Sequence, residues 1–357
     1  MASSRAEESA RRRAARERRL KRRRGAVGLG LVGVVVLVVA LLVGGGGGNH
    51  HAAITIGSQA ATGASKAGGE ARVRVSGVPT GLLPSAVQDA AAVAVGPESF
   101  LLMGGLDQAE GSVADIVSAT ATHATRIGTL PSALHDASAS FLGGAAYLFG
   151  GGVVSSFPEI TRVAPSGGTQ PAGRLLTPAS DVATTVVNGT VYVVGGYTGQ
   201  SPLRTILAWR PGEAARVVGM LPKPLRYAAV ASTGGKIVIA GGTSGEAASR
   251  DVYRFDPSTG TLTTLGLLPS PITHAAAASV NGTVFVFGGR DASATSQTRR
   301  ILAINPGGKV HTVGALPLPL SDLAAVVLGR HVVLAGGRDS SGRVQNAILT
   351  MSVEQVR

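Results

Sequence analysis

One pattern constrains this chain more than any other: an apolar run of four residues ending in Gly-Gly, written six times. The copies are FLLMGG (100–105), AYLFGG (146–151), VYVVGG (191–196), IVIAGG (237–242), VFVFGG (284–289) and VVLAGG (332–337). Their first glycines stand 46, 45, 46, 47 and 48 residues apart. A second anchor keeps the same step: Leu-Pro at 83–84, 130–131, 221–222, 268–269 and 316–317, with Leu176-Thr177-Pro178 as the third copy. A fixed period of this length marks an array of supersecondary units, each too small to bury its apolar face alone.

Each unit reads as four short strands. Strand a is the Ala/Val-rich stretch after Leu-Pro, as in DAAAVAV or THAAAAS. A tight turn follows, Asn188-Gly189 and Asn281-Gly282 in two copies, Gly143-Gly144 and Gly234-Gly235 in two more. Such pairs suit a type I′ hairpin, where both central residues need positive φ. Strand b is the apolar run before the glycine pair. A polar loop leads to strand c, for example RDVYRFDP (250–257), and strand d follows, for example TLTTLG (261–266). The last unit runs out of chain after strand c. ARVRVSG (71–77), just before the first Leu-Pro, stands where a strand d belongs, so it is expected to complete the last sheet and join the two ends.

The stretch YRFDPSTGTLTTLGLLPSPITHAAAASVNGTVFVFGGRD (253–291), with its strand, Asp-Pro turn, strand, Leu-Pro and double glycine, resembles the kelch repeat. The resemblance covers about 280 residues and implies an all-β fold, a six-bladed kelch-type β-propeller over 71–357. Most of the aromatics usual in that repeat are missing: the Tyr after the glycine pair survives only as Tyr197, and the strand d Trp is absent. Some kelch propellers are enzymes. The galactose oxidase-like ones use copper with a Tyr–Cys crosslink, which a chain without cysteine cannot form. Bacterial sialic acid epimerases are also six-bladed kelch proteins, and they imply a carbohydrate-active enzyme, an epimerase or mutarotase, as the alternative reading.

The net charge of +13 belongs mostly to one end. Residues 1–25 hold ten Arg and one Lys against three Glu, a net of +8, and the rest of the chain is only mildly basic. The globular part shows no basic face interleaved with aromatics, so no nucleic-acid partner is expected. After the basic segment comes an uncharged apolar run of 18 residues, 26–43. As a helix it would span roughly 27 Å, a bilayer core. Arginines on one side only place 1–25 in the cytoplasm and the bulk outside. The run is longer than the hydrophobic core of a cleaved signal, which favours an uncleaved signal-anchor in the cell membrane. Residues 44–70 are Gly, Ala, Ser and Thr rich and read as a flexible linker. His50-His51 in that tether lacks further ligands for a metal. The Ala, Gly, Val and Arg bias suits a bacterial source.

In a propeller the d–a and b–c loops share one face, around the central channel. The d–a loops carry Asp89, His135, Asp136, Asp181, Arg226, Tyr227, His274 and Asp322; the b–c loops carry Asp107, Tyr197, Arg290, Asp291, Arg338 and Asp339. The candidate ligand-binding residues are Arg226, Tyr227, His274, Arg290, Asp291, Arg338, Asp339, His135, Asp136 and Tyr197. Arg226, Arg290 and Arg338 could converge on an anion such as a carboxylate. No catalytic residue, metal or cofactor is assigned. No P-loop, Ser-His-Asp spacing or sialidase-type Asp box is present. The leading expectation is a membrane-held binding or scaffold module for an unknown protein or cell-envelope glycan.

Overall fold

The computed structural model describes residues 72–245 and 247–356, and among them every regular element is a strand. The basic segment 1–25, the expected span 26–43 and the linker 44–70 lie outside the described residues. Among the described residues no helix is long and apolar enough to cross a membrane.

The chain opens with β1 (Arg72–Leu82). Next come β2 (Ala91–Ala94), β3 (Phe100–Met103), β4 (Val113–Ala119) and the long β5 (Ala124–Leu142). The first half of β5 pairs with β4 and its second half, from His135, pairs with β6 (Ala145–Gly152). β5 is therefore the outer strand of one sheet and the inner strand of the next. That second sheet continues through β7 (Glu159–Val163) and β8 (Thr169–Arg174). The third comprises β9 (Ala183–Val187), β10 (Thr190–Val194), β11 (Thr205–Trp209) and β12 (Arg216–Met220); the fourth, β13 (Ala229–Thr233), β14 (Lys236–Ala240), β15 (Ser249–Asp256) and β16 (Thr261–Ile272). The fifth holds β17 (Ala276–Val280), β18 (Thr283–Phe287), β19 (Arg300–Ile304) and β20 (Val310–Ala315). After the two-residue β21 (Leu320–Ser321) come β22 (Ala324–Leu328), β23 (His331–Ala335), the short β24 (Arg338–Asp339) and β25 (Ala347–Val356). In this last set β22, β23 and β25 pair in order and β1 pairs antiparallel with β25, from Arg72↔Val356 to Leu82↔Ala347. The first strand of the described chain thus lies in the same sheet as the last.

Local chemistry accounts for these strands. Four of the turns between first and second strands have positive φ at both central residues, +48° and +69° at Asn188-Gly189 for instance, as a type I′ turn needs. The second strand of every set is buried on both faces, which is why it reads as an unbroken apolar run. In β23, Val332 and Leu334 pack toward the fifth set, while Val333 and Ala335 pack toward the first.

The core is accordingly not one mass. It consists of clusters between successive sheets, first with second through fifth with last, and a further cluster joins last with first. Fully buried Phe100, Phe149, Phe255, Phe285 and Phe287 each contribute about 2–3 kcal/mol of burial to one of these seams. Trp209 packs edge-on against Tyr147 and Phe149 in the second-to-third seam. With aromatics scarce, Val, Leu and Ile fill most of the remaining volume.

Candidate functional site

The two sequence anchors turn out to be partners across neighbouring sheets. In every copy the leucine of the Leu-Pro anchor is buried, and the carbonyl four residues on accepts a hydrogen bond from the second glycine of the preceding copy. Gly105 donates to Leu134, Gly151 to Ala179, Gly196 to Leu225, Gly242 to Ile272, Gly289 to Leu320 and Gly337 to Val87, at 2.8–2.9 Å. The first glycine sits over the same carbonyl so closely that a Cβ would overlap the oxygen. Gly-Gly therefore reports a docking contact between sheets. It also corrects the third anchor: the buried leucine is Leu175, while Leu176 is exposed.

Two residues beyond each carbonyl the chain enters the left-handed region, at Asp89, Asp136, Asp181, Tyr227, His274 and Asp322, with φ of +54° to +59°. These six backbones form a closed ring. Asp136 donates to Asp89, Asp181 to Asp136, Tyr227 to Asp181, His274 to Tyr227, Asp322 to His274 and Asp89 to Asp322, at 2.7–3.3 Å. Asp tolerates this conformation and His visits it, but a bulky Tyr there is unusual, so Tyr227 is held by its surroundings.

The ring's side chains crowd together. Asp89 and Asp322 lie within interaction reach of each other, as do Asp136 and Asp181. Burial, aided by the Asp322 charge, holds Asp89 well above the ordinary carboxylate range. Burial raises Asp322 too. Burial pushes Asp136 up to about 6, against a hydrogen bond from the Tyr227 hydroxyl at 3.0 Å. Burial and Asp136 push Asp181 up to about 8, with Arg226 pulling the other way through an ion pair. The Arg226 guanidinium lies 4.1 Å from the Tyr197 ring centre and 4.6 Å from that of Tyr227. Tyr227 stacks on His274 with centroids 3.6 Å apart. Arg290 Nη2 donates to His274 Nε2 at 3.0 Å, which leaves the imidazole proton on Nδ1. Burial, Arg290 and Arg226 keep this histidine neutral by lowering its pKa well below the usual value.

A cavity of 330 Å³ opens on the loop side of the ring. It is lined by Gln88, Asp89, Leu106, Glu110, His135, Asp136, Tyr227, His274, Arg290, Ala294, Asp322 and Arg338. On the other side a channel of 370 Å³ runs between the inner strands β2, β9, β13, β17, β22 and the second half of β5, walled by small residues. Asp89, Asp136, Tyr227, His274 and Asp322 border both spaces. Among the described residues no group of three or more His, Asp or Glu is placed to hold a metal ion.

Residues 178–213 and 224–261 match the Kelch motif. In structure the chain is similar to YjhT, with a TM-score of 0.66 at 15% identity, over 77% of this chain and 99% of that one. The chain is a kelch-repeat β-propeller. No curated protein matches it in sequence.

The propeller brings six of the ten candidate residues to one cavity: His135, Asp136, Tyr227, His274, Arg290 and Arg338. Arg226 and Tyr197 do not line it. They pack on each other beside Asp181, so Arg226 is spent on an internal ion pair and the three arginines do not converge. Asp291 and Asp339 hold turns: Asp291 accepts from the Ser293 amide at 2.7 Å, and Asp339 from the Ser341 and Arg343 amides at 2.9 and 3.0 Å. Asp107 does the same for Ala109 and Gly111. Gln88, Leu106, Glu110 and Ala294 were not foreseen. Gln88 and Leu106 had a signal: each stands one place beside a repeated position, Gln88 before the ring residue and Leu106 after the glycine pair, and the two pair as a β-bridge.

Proposed function

We propose that this chain is a membrane-anchored, extracytoplasmic, six-bladed kelch propeller that acts as a binding module, its loop-face cavity receiving a carboxylate on a protein or cell-envelope glycan. In this reading residues 1–25 are cytoplasmic, 26–43 span the membrane, 44–70 are a tether, and β1 is the closing strand of the sixth blade. The observation that carries the reading is the presence of Arg290 and Arg338 in one cavity, with burial raising the floor carboxyls Asp89 and Asp322 above the ordinary carboxylate range. A raised carboxyl repels an anion less than an ordinary one does. Charge-assisted contacts from two arginines supply most of the affinity. The test is binding of a panel of acidic and neutral glycans and peptides to the full-length chain. Arg290→Gln and Arg338→Gln should each weaken acidic ligands by about tenfold. Unchanged binding in both variants would sink the reading.

A second reading, a carbohydrate-active enzyme of the epimerase or mutarotase kind, is favoured by one feature. Asp136, raised to about 6, faces the cavity with the Tyr227 hydroxyl at 3.0 Å, a pair suited to proton transfer near neutral pH. Anomer exchange of sugars followed by NMR, lost in Asp136→Asn, would support it; no acceleration over buffer would exclude it.

A further inference from the structure

We propose that the ligand of the loop-face cavity is a zwitterion: its carboxylate lies on Arg290 and Arg338, and an ammonium group lies on the floor formed by Asp89, Asp322 and Asp136. The proposal rests on the carboxylate-binding reading above and adds the second charge.

The argument begins with the floor. Asp89 and Asp322 come from opposite ends of the propeller's sequence, yet the backbone ring fixes them side by side. Two neighbouring carboxyls, each raised by burial, are costly to ionise together without a counter-charge, and a retained proton is the stand-in for one. An ammonium offers three donors and a full positive charge. Seated over the pair, it lets both carboxyls ionise and accept. The step balances simply: the ammonium enters with its own protons, the O–H bond of the protonated carboxyl breaks with its electron pair left on oxygen, the proton passes to solvent buffer, and no bond between heavy atoms changes.

The arginine side is set apart by its partners. Arg290 holds the neutral His274, and Arg338 lies 3.8 Å from Glu110, so neither is neutralised by the floor carboxyls through direct contact. A separate observation calls for an acceptor in this region. The His274 side chain is 8% exposed and lines the cavity, and its Nδ1, which carries the proton, is buried with no partner. A carboxylate oxygen or a ligand hydroxyl would satisfy that donor. Positive donors on one side and ionisable acceptors below are the complement of a free amino acid, a peptide carrying both charges close together, or an amino sugar acid.

The test is isothermal titration calorimetry of the full-length chain at pH 7 with alanine, N-acetylalanine and alaninamide, in phosphate and in Tris. Alanine should bind at least about tenfold tighter than either derivative. The buffer dependence of the heat should show about one proton released per alanine bound and none with N-acetylalanine. Asp89→Asn, which keeps a side chain that tolerates the left-handed backbone, should weaken alanine about tenfold more than it weakens N-acetylalanine and abolish proton release. Equal affinity for alanine and N-acetylalanine, or no proton release, would overturn the zwitterion while the carboxylate reading stands. Equal binding of alanine and alaninamide, or no binding of either acid, would overturn both.

Discussion

The backbone amide of Asp89 donates to the carbonyl of Asp322 at 2.9 Å, and this one bond joins the first repeat of the propeller to the last. It completes a circuit of six such bonds at the floor of the loop face. The same seam is reinforced by Gly337 donating to Val87 and by β1 lying along β25. Without cysteine, the propeller joins its first and last strands by this arrangement of backbone bonds and by the apolar clusters that flank them.

Loss of β1 should therefore be felt by the whole ring. Val75, 2% exposed, packs in the seam between the fifth and last sheets beside Phe285, Ile301 and Met351. Val75→Asp would bury an unpaired carboxylate there and should cost about 3 kcal/mol or more. Deletion of residues 72–78 should lower the melting temperature further still. Thermal melts followed by circular dichroism check both, and an unchanged melting temperature after the deletion would refute a structural role for β1.

The glycine pairs offer a contrast between strain and collision. Gly195→Ala places a Cβ on the Leu225 carbonyl oxygen and should destabilise by about 3 kcal/mol or more. Gly235→Ala, also at positive φ but with open space around it, should cost only about 1 kcal/mol. Urea denaturation of the two variants separates the effects.

Arg226 should matter to stability more than to ligand affinity. Removing it leaves the Asp181 carboxyl, 2% exposed, without its cation and strips the cover from Tyr197 and Tyr227. Arg226→Ala should cost about 3 kcal/mol. Asp181→Asn in the same background should recover part of that loss, since the buried carboxyl left without its partner is gone. A double-mutant cycle by chemical denaturation measures it, and a zero coupling energy would contradict the ion pair.

The contribution of Asp136 and Asp181 to stability should fall as pH rises from about 4 to about 8, against the opposite contribution of the neutral His274. Asp136 and Asp181 have folded pKa values of about 6 and about 8, above the ordinary carboxylate value of 3.8. Between those values the folded state binds more protons than the unfolded one. The stabilisation is therefore complete below the unfolded value and is lost as pH passes through the folded ones. Asp136→Asn should flatten the lower part of this profile. The difference in melting temperature between the native chain and Asp136→Asn across the range tests it, and a difference that does not change with pH would contradict the raised carboxyl.

How much of this was legible in the chain follows from what each feature depends on. The kelch repeat and the all-β fold were visible because they rest on backbone constraints. Positive φ and close approach at Gly-Gly admit almost no other residue, so the motif recurs in letters. The turn at Asn188-Gly189 is of the same kind. One repeated glycine escaped notice, that of the outer strands, where Gly219 faces the Phe255 ring of the next sheet; its neighbours in sequence vary, so no run of letters announced it. The loop-face residues could be gathered as a set from their places in the repeat, but not their partners. Arg226 stands in a d–a loop and Arg290 in a b–c loop, and neither place names the partner its side chain takes. One turns to Asp181 and two tyrosine rings, and the other holds His274 beside the cavity. Those choices are made between side chains from different repeats, packed at the ring's centre, where burial and neighbouring charge decide which groups ionise readily. The repeat in the sequence determines that six such loops meet; only their meeting decides what the meeting place can bind.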